Sequence, residues 1–485
     1  MKISRIHCSM ILAGILFTGT NLFAQKPDRS APPKLGPPPS LKLPDIKKTN
    51  LPNGLKIVIM ESRKIPLVQI TVQVDAGQVN DGKGKEGIAA MTFSMLDEGA
   101  GKRDALSLSD ALNYLGATLR INAGVHSSTI SLNTPASKLD AALDLLADIV
   151  LRPTFDETEL SRLRKQQLTN ILQAHDNPRV IASAAYAQIL FGKDHIYGSQ
   201  RTGTEQSIKA MKAADIRSFH KKYISPPNTT MIIVGDIDAD GITAHIEKRF
   251  GTWRGTAGKA VKVKTAKQVQ KRIVYLVDKP GAAQSIIHIG RIGVTRKTPD
   301  YYPITVMNTV LGGSFTSRLN SNLREEHGYS YGAFSRFSFR PSPGAFTATS
   351  AVQTDVTDKA LTEFMKELNG IRQPIPEIEF NRAKNYSALQ FPSRFQTVSQ
   401  IAGQLADLIA SGIPESYFGE YVQQILNVTA AEVKMAAEKY IVPEKSIILV
   451  VGDRAKIEPG IQALKLGPIK NLTIEDVLGK KPELN

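Results

Sequence analysis

Residues 213–236, AADIRSFHKKYISPPNTTMIIVGD, and residues 430–453, AAEVKMAAEKYIVPEKSIILVVGD, align without a gap at a constant offset of 217 residues. Ala-Ala, Lys-Tyr-Ile, a proline and Val-Gly-Asp recur in place, with conservative exchanges between them. A second pair, LRPTFDETELSR at 151–162 and IRQPIPEIEFNR at 371–382, recurs at a similar offset. Two ordered matches are a poor product of chance. They predict a tandem duplication of one mixed α/β unit of about 210 residues, too long for a solenoid repeat and of ordinary domain size. The fold class is therefore α+β, with two homologous domains at 50–253 and 273–464.

The first unit supplies the element pattern. Gly54–Met60 and Leu67–Val74 read as strands separated by the polar and proline-containing ESRKIP. Met231–Val234 reads as a buried strand ending in Gly-Asp. Residues 86–96, 107–115, 138–150 and 157–175 carry helical patterns, and Gly99 and Gly101 stop the first of them. Alternating strands run from the second helix to Leu132.

The flanks differ in composition. The chain of 485 residues opens with Lys2 and Arg5, an apolar run over 10–17 and Ala24 before Gln25. That order predicts a signal peptide over 1–24 and an exported protein, periplasmic or secreted. The run is short for a bilayer span, and no later stretch is long enough for one. Residues 25–49 are proline-rich and read as an extended spacer, and residues 465–485 as a tail. Cys8 is the only cysteine, so a processed chain has no disulfide, thiol nucleophile or cysteine-ligated zinc. Losing Lys2 and Arg5 lowers the formal charge from +16 to +14. Much of the excess lies in RGTAGKAVKVKTAKQVQKR, residues 254–272, which lacks acidic and aromatic residues. Such a run between two folded units reads as a solvated linker, not a nucleic-acid surface.

One stretch of the second unit has no counterpart in these simple patterns: residues 311–339, LGGSFTSRLNSNLREEHGYSYGAFSRFSF. Gly312 and Gly313 end an apolar helix, Ser317 is placed to cap a short second one, and Leu319 and Leu323 share a face of it. Gly328 suits the left-handed turn that would fold Arg324, in the last helical turn, toward Tyr331 on the following strand. An arginine beside a tyrosine can grip a peptide carbonyl or an oxyanion. The plainer alternative is an arginine suited to a helix C-terminus and a tyrosine in a sheet.

None of the eight histidines forms H-E-x-x-H or H-x-x-E-H, the spacings that put two imidazoles and a carboxylate on one helical face. No phosphate-binding GxxxxGK[ST] or nucleophile-elbow GxSxG occurs.

The duplication, the KY…VGD phrases and L-R-E-x-x-G-x-x-Y resemble the pitrilysin/insulinase peptidases, the inverzincins that include the mitochondrial processing peptidase and paired bacterial subunits. The resemblance covers nearly all of residues 50–464. It implies the fold of the mitochondrial processing peptidase, two chains closing face to face around a chamber. In that family the first half carries H-x-x-E-H in the frame G-[LI]-A-H-x-x-E-H-M-L-x-x-G-T. Here Gly87, Ile88, Ala89 and Gly99 keep the frame, while Ala90 and Ser94 stand at the zinc histidines and Phe93 at the general base. The stretch matching the third ligand, 168–171, holds Asn170 and no carboxylate, and Asp97 and Glu98 are expected to lie past the ligand face. The resemblance therefore implies no metal in this chain.

It also implies that Arg324 and Tyr331, seven residues apart, match the family's carbonyl-holding pair, and that Gly312-Gly313 matches its substrate-contacting loop. The expectation is a non-metal subunit of an exported heterodimeric zinc peptidase. A homologous H-x-x-E-H chain would be its partner, bringing the zinc and the general base to peptide substrates. The alternative is an inert pseudo-peptidase with a structural or peptide-binding role, and a homodimer of this chain would hold no zinc site.

Overall fold

Strand β3, Leu67–Val74, alternates Val68, Ile70, Val72 and Val74 with Gln69, Thr71 and Gln73, and its period of two sends the sets to opposite faces of a sheet. The computed structural model, which describes residues 36, 41–258 and 261–483, builds a six-stranded sheet around it. The other strands are β1 (Ile46–Asn50), β2 (Lys56–Glu61), β6 (Thr118–Asn122), β7 (Ser128–Pro135) and β8 (Thr229–Gly235). A separate short pair is formed by β4 (Gly99–Ala100) and β5 (Arg103–Asp104). A second six-stranded sheet comprises β9 (Ile273–Asp278), β10 (Gln284–Ile292), β11 (Ser330–Phe337), β12 (Ala345–Gln353), β13 (Ile447–Gly452) and β14 (Ile469–Leu472).

The sheets match strand for strand: β6-β7-β3-β8-β2 in the first and β11-β12-β10-β13-β9 in the second. The duplicated segments occupy equal places. Helix Ala213–Tyr223 leads through a proline turn into β8, as helix Ala430–Tyr440 leads into β13. The sixth position breaks the symmetry. β1 precedes β2 and pairs with it antiparallel, whereas β14 comes from the far end of the chain and pairs parallel with β9.

Two sequence expectations are corrected at these edges. The spacer expected over 25–49 runs into β1, because past Pro44 the chain regains the N–H groups a ladder needs. Residues 25–35 and 37–40, and the expected signal peptide, lie outside the described residues. The expected tail supplies β14 and then helix Ile474–Leu478, whose Val477 is buried. The basic segment 254–272 is without helix or strand where described, yet it is docked and not free in solvent. Gly258 donates to Asn228 Oδ1 (2.8 Å), His195 Nε2 bonds the Lys264 carbonyl (2.7 Å), and Gln268 donates to the Ile292 carbonyl (2.7 Å).

The halves also exchange helices. Helix Pro178–Phe191, capped by Asn177 with Pro178 in its first turn, belongs to the first half by sequence. Its Ile181, Ala182, Ala185 and Leu190 pack instead on Val277, Ile286, Leu449 and Val451 of the second sheet. Tyr186 donates to the Phe346 carbonyl (2.7 Å) across Gly290, where a Cβ would fall 2.3 Å from the tyrosine oxygen. In return, helix Val398–Ser411 of the second half lays Ile401, Ala402 and Leu405 against Val58, Met60, Ile232 and Val234. Each sheet thus has one face covered by the other half, and the two units cannot separate without exposing apolar surface.

Candidate functional site

The helix expected over 86–96 is observed as Ile88–Ser94. Gly87 begins it at φ +88°, and a Cβ there would meet the Gly203 backbone nitrogen at 2.7 Å. Asp81 fixes the entry by accepting from the Gly87 (2.8 Å) and Ala89 (2.9 Å) amides. Ala90 and Ser94, one turn apart, line a cavity of about 380 Å³ with Gln166, Gln167 and Asn170 from helix Glu157–Ala174. The geometry therefore unites the two stretches, holding three positions, that the resemblance equated with metal ligands.

The chemistry there does not fit zinc. Ala90 has no donor atom, Ser94 a neutral hydroxyl, and Asn170 and the two glutamines only neutral amides. Phe93 points into the core at 1% exposure. Asp97 and Glu98, expected past the ligand face, line the same cavity, a correction that follows from the turn after the helix ending at Ser94. Glu98 is paired with Arg162 at 2.5 Å, and burial pushes the Asp97 carboxyl above its ordinary range. Among the described residues no three His, Cys, Asp or Glu side chains lie close enough to hold a metal ion.

The second half keeps a different surface. Helix Tyr301–Leu311 stops at Gly312, where a Cβ would fall 2.3 Å from the Ser335 backbone nitrogen. Gly313 lines a cavity of about 220 Å³ with Asn308, Tyr301 and Arg336. Ser317 takes the cap position ahead of Arg318–Asn320, but its hydroxyl accepts no backbone amide and is buried without a partner. The short helix then widens into a π-turn over Ser321–Glu326, a form often found at functional positions. Gly328 closes it at φ +64°, in the left-handed conformation that the sequence required.

The register of β11 against β12 shifts between Ser330 and Ala333, a β-bulge that holds Tyr331. Tyr331 is 91% exposed, beside Phe334 in the same strand at 51%. Arg324 lies over the ring of Phe315, itself exposed, at 4.7 Å and pairs with Glu325 at 3.2 Å. The arginine and the tyrosine thus flank one turn, the arginine held by Phe315 and Glu325 and the tyrosine ring standing in solvent.

What sequence reasoning missed is the frame behind them. Asn320, fully buried, donates to the Phe315 carbonyl (2.7 Å) and accepts from the Ala333 amide (3.2 Å), tying the loop, the turn and the strand together. Asn322 bridges Glu363 and Glu367, both at 2.8 Å, and Arg318 holds Glu379 through two bonds of 2.8 and 2.7 Å. Two asparagines between buried leucines were the available signal, since a buried amide requires partners.

Comparison with known proteins agrees with this layout. Residues 56–196 match the family described as insulinase (peptidase family M16), and residues 210–387 match the peptidase M16 inactive domain. The chain belongs to the M16 peptidase family. An uncharacterized zinc protease of Mycobacterium leprae is 27% identical over 308 residues, 63% of this chain and 68% of that one. A non-peptidase homolog of Helicobacter pylori is 21% identical over 384 residues, 78% and 87% of the two chains. The crystal structure of a peptidase M16 inactive domain from Pseudomonas fluorescens, at 26% identity, superposes with a TM-score of 0.79 over 84% of this chain and 98% of that one. This M16 chain is thus peptidase-like and non-catalytic in its own metal position, whose frame survives without ligands.

Proposed function

We propose that this chain is the non-metal subunit of an exported, two-chain M16 peptidase, acting in the periplasm on peptides. The observation that carries the reading is Tyr331, held in a bulge and exposed where a packing role would bury it, with Arg324 across the Gly328 turn. A homologous H-x-x-E-H chain would supply the zinc and the general base. This chain would supply two donors to the substrate carbonyl, the guanidinium of Arg324 and the phenol of Tyr331, with the Gly313 loop contacting the peptide. Donors aimed at a developing oxyanion are typically worth about 10²–10³ in rate.

The test is reconstitution with a homologous H-x-x-E-H chain from the same organism. Arg324→Ala and Tyr331→Phe should each lower turnover by about 10²–10³ while zinc content and assembly stay unchanged. Full activity in the Arg324→Ala complex would sink the assignment. A second reading, an inert structural or peptide-binding envelope protein, is favoured by the ligand set lost from the first half. Failure to find any zinc-bearing partner or hydrolysis in material co-purified from the native envelope would select it.

A further inference from the structure

Between the halves lies a basin that neither the degenerate metal position nor the Arg324 platform uses. A cavity of about 420 Å³ is lined by Arg296, Arg340 and Arg394 from the second half and by His126 from the first. Each guanidinium is laid against an aromatic face: Arg296 is 3.8 Å from the ring centre of Tyr301, Arg340 4.6 Å from that of Tyr197, and Arg394 5.8 Å from that of Phe391. Stacking fixes the plane of a guanidinium and leaves its N–H edge free for a planar, two-oxygen acceptor.

Among the described residues none of the three makes a direct ion pair; the one carboxylate in the lining, Asp407, feels the charges of Arg296 and Arg394 and leaves Arg340 without a carboxylate partner. Arg336 and Arg201 add further positive charge near Arg340, whose guanidinium burial and these neighbours push below its ordinary value. Arg296 and Arg340 are half-buried, so their charges are only partly screened, and a bound anion would lower that cost.

The basin is not closed on itself. It shares Ser127, Asp407 and Ala410 with a larger cavity of about 750 Å³ under helix Val398–Ser411. That second space runs along the polar face of the first sheet, floored by Gln69, Thr71, Gln73, Thr129, Ser131 and Asn133. These are the outward sets of β3 and β7, so the alternation that builds the core also builds this trough. Both atoms of the Gln73 amide are buried without a hydrogen-bond partner, an unusual cost for a side chain on a cavity wall. Gln69, Thr71, Ser131 and Asn133 bond one another or Ser399, so the Gln73 amide is the group of this floor left to exchange hydrogen bonds with a ligand amide.

We infer that the Arg296–Arg340–Arg394 basin and its adjoining trough bind a carboxylate-bearing ligand, the carboxylate among the arginines and its amide groups along β3 and β7. The ligand has two sources of the same chemistry, the free C-terminus of a peptide and a small polycarboxylic acid. The site lies within one chain and does not depend on a zinc-bearing partner, so its failure and that of the subunit reading are separable.

The experiment is calorimetric titration of the full chain with four probes: acetyl-tetraalanine with a free carboxylate, the same peptide as its C-terminal amide, tricarballylate and inorganic phosphate. The expected result is binding of the acid peptide, with the amide at least tenfold weaker, and loss of acid-peptide binding by tenfold or more in Arg340→Ala. Arg394→Ala, at the exposed rim, gives the same reading should Arg340→Ala fail to fold, and Arg394→Lys should restore part of the affinity. Tricarballylate binding more tightly than the acid peptide, with the same dependence on the arginines, supports the site and assigns it to a free acid. Equal binding of acid and amide peptides, no binding of either carboxylate, or phosphate binding tenfold tighter than both carboxylates would overturn the proposal.

Discussion

The two halves share a strand order and differ in what the helices and turns after their first strands present. In the first half the helix at 88–94 keeps its glycine entry, its Asp81 anchor and a cavity at its open side, yet the helix faces that cavity with alanine and serine, opposite amides, and its carboxylates, Asp97 and Glu98, come from the turn after the helix. In the second half the turn before β11 and that strand present Arg324, Tyr331 and two phenylalanines to solvent. The lesson is that a scaffold outlives its chemistry when its residues also pack. Phe93, the position that the resemblance gives to a general base, is core. Phe93→Ala should cost about 3–5 kcal/mol, because a fully buried ring leaves a cavity, whereas Ser94→Ala should cost less than about 0.5 kcal/mol. Chemical denaturation of the two variants measures the contrast. A mild Phe93→Ala would mean that the first half is still an adaptable pocket.

The exchange of helices extends the comparison to the seam. His288 on β10 lies 5.3 Å from the ring of Tyr186, on the helix donated by the first half. Burial, with the charge of Arg336, pushes its imidazole down to about 4. The unfolded chain therefore takes up a proton near pH 6.5 while the folded chain does not, so stability is held above that value and lost as pH falls toward 4. Between pH 6.5 and 5 the loss should reach about 1.6 kcal/mol, the slope rising toward 1.36 kcal/mol per pH unit as the unfolded imidazole becomes fully protonated. In His288→Leu the denaturation midpoint should fall less over that window. An unchanged slope would remove His288 as the acid-sensitive point of the seam.

Much of this was legible in the sequence, and the failures have a common physical cause. The duplicated 213–236 and 430–453 segments, the alternation of Leu67–Val74 and the positive-φ role of Gly328 follow from local rules, and each takes its expected form. Ala90, Ser94 and Asn170, which the resemblance set at the metal-ligand positions, line one cavity. What local rules could not supply was anything decided at long range. Helix Pro178–Phe191 is apolar on a face that meets a sheet far away in the chain, and β14 needs β9 to become a strand at all. Ser317 has a capping residue's position, but its buried hydroxyl is turned from the helix amides. The asparagine frame was missed for the same reason. Asn320→Ala should cost about 1–3 kcal/mol by stranding the buried Ala333 amide, with the loss read from the denaturation midpoint. A neutral effect would show that the loop and β11 are not pinned through this side chain.

The smallest expected effect is the sharpest test of the contrast between the halves. Tyr331 is nearly free of packing, and Arg324 has an exposed ion pair and an exposed aromatic neighbour. Exposed pairs contribute about 0–1 kcal/mol, and a surface ring that buries nothing loses nothing on truncation. Tyr331→Ala should therefore leave stability within about 0.5 kcal/mol of the parent, and Arg324→Ala within about 1 kcal/mol. A loss above about 2 kcal/mol in either would place that residue among the structural ones, beside Phe93, and would leave any fall in turnover explained by folding alone. Intact stability joined to lost turnover would instead divide the molecule cleanly: a first half whose old site has been absorbed into the core, and a second half whose exposed pair is held out of the core for a ligand.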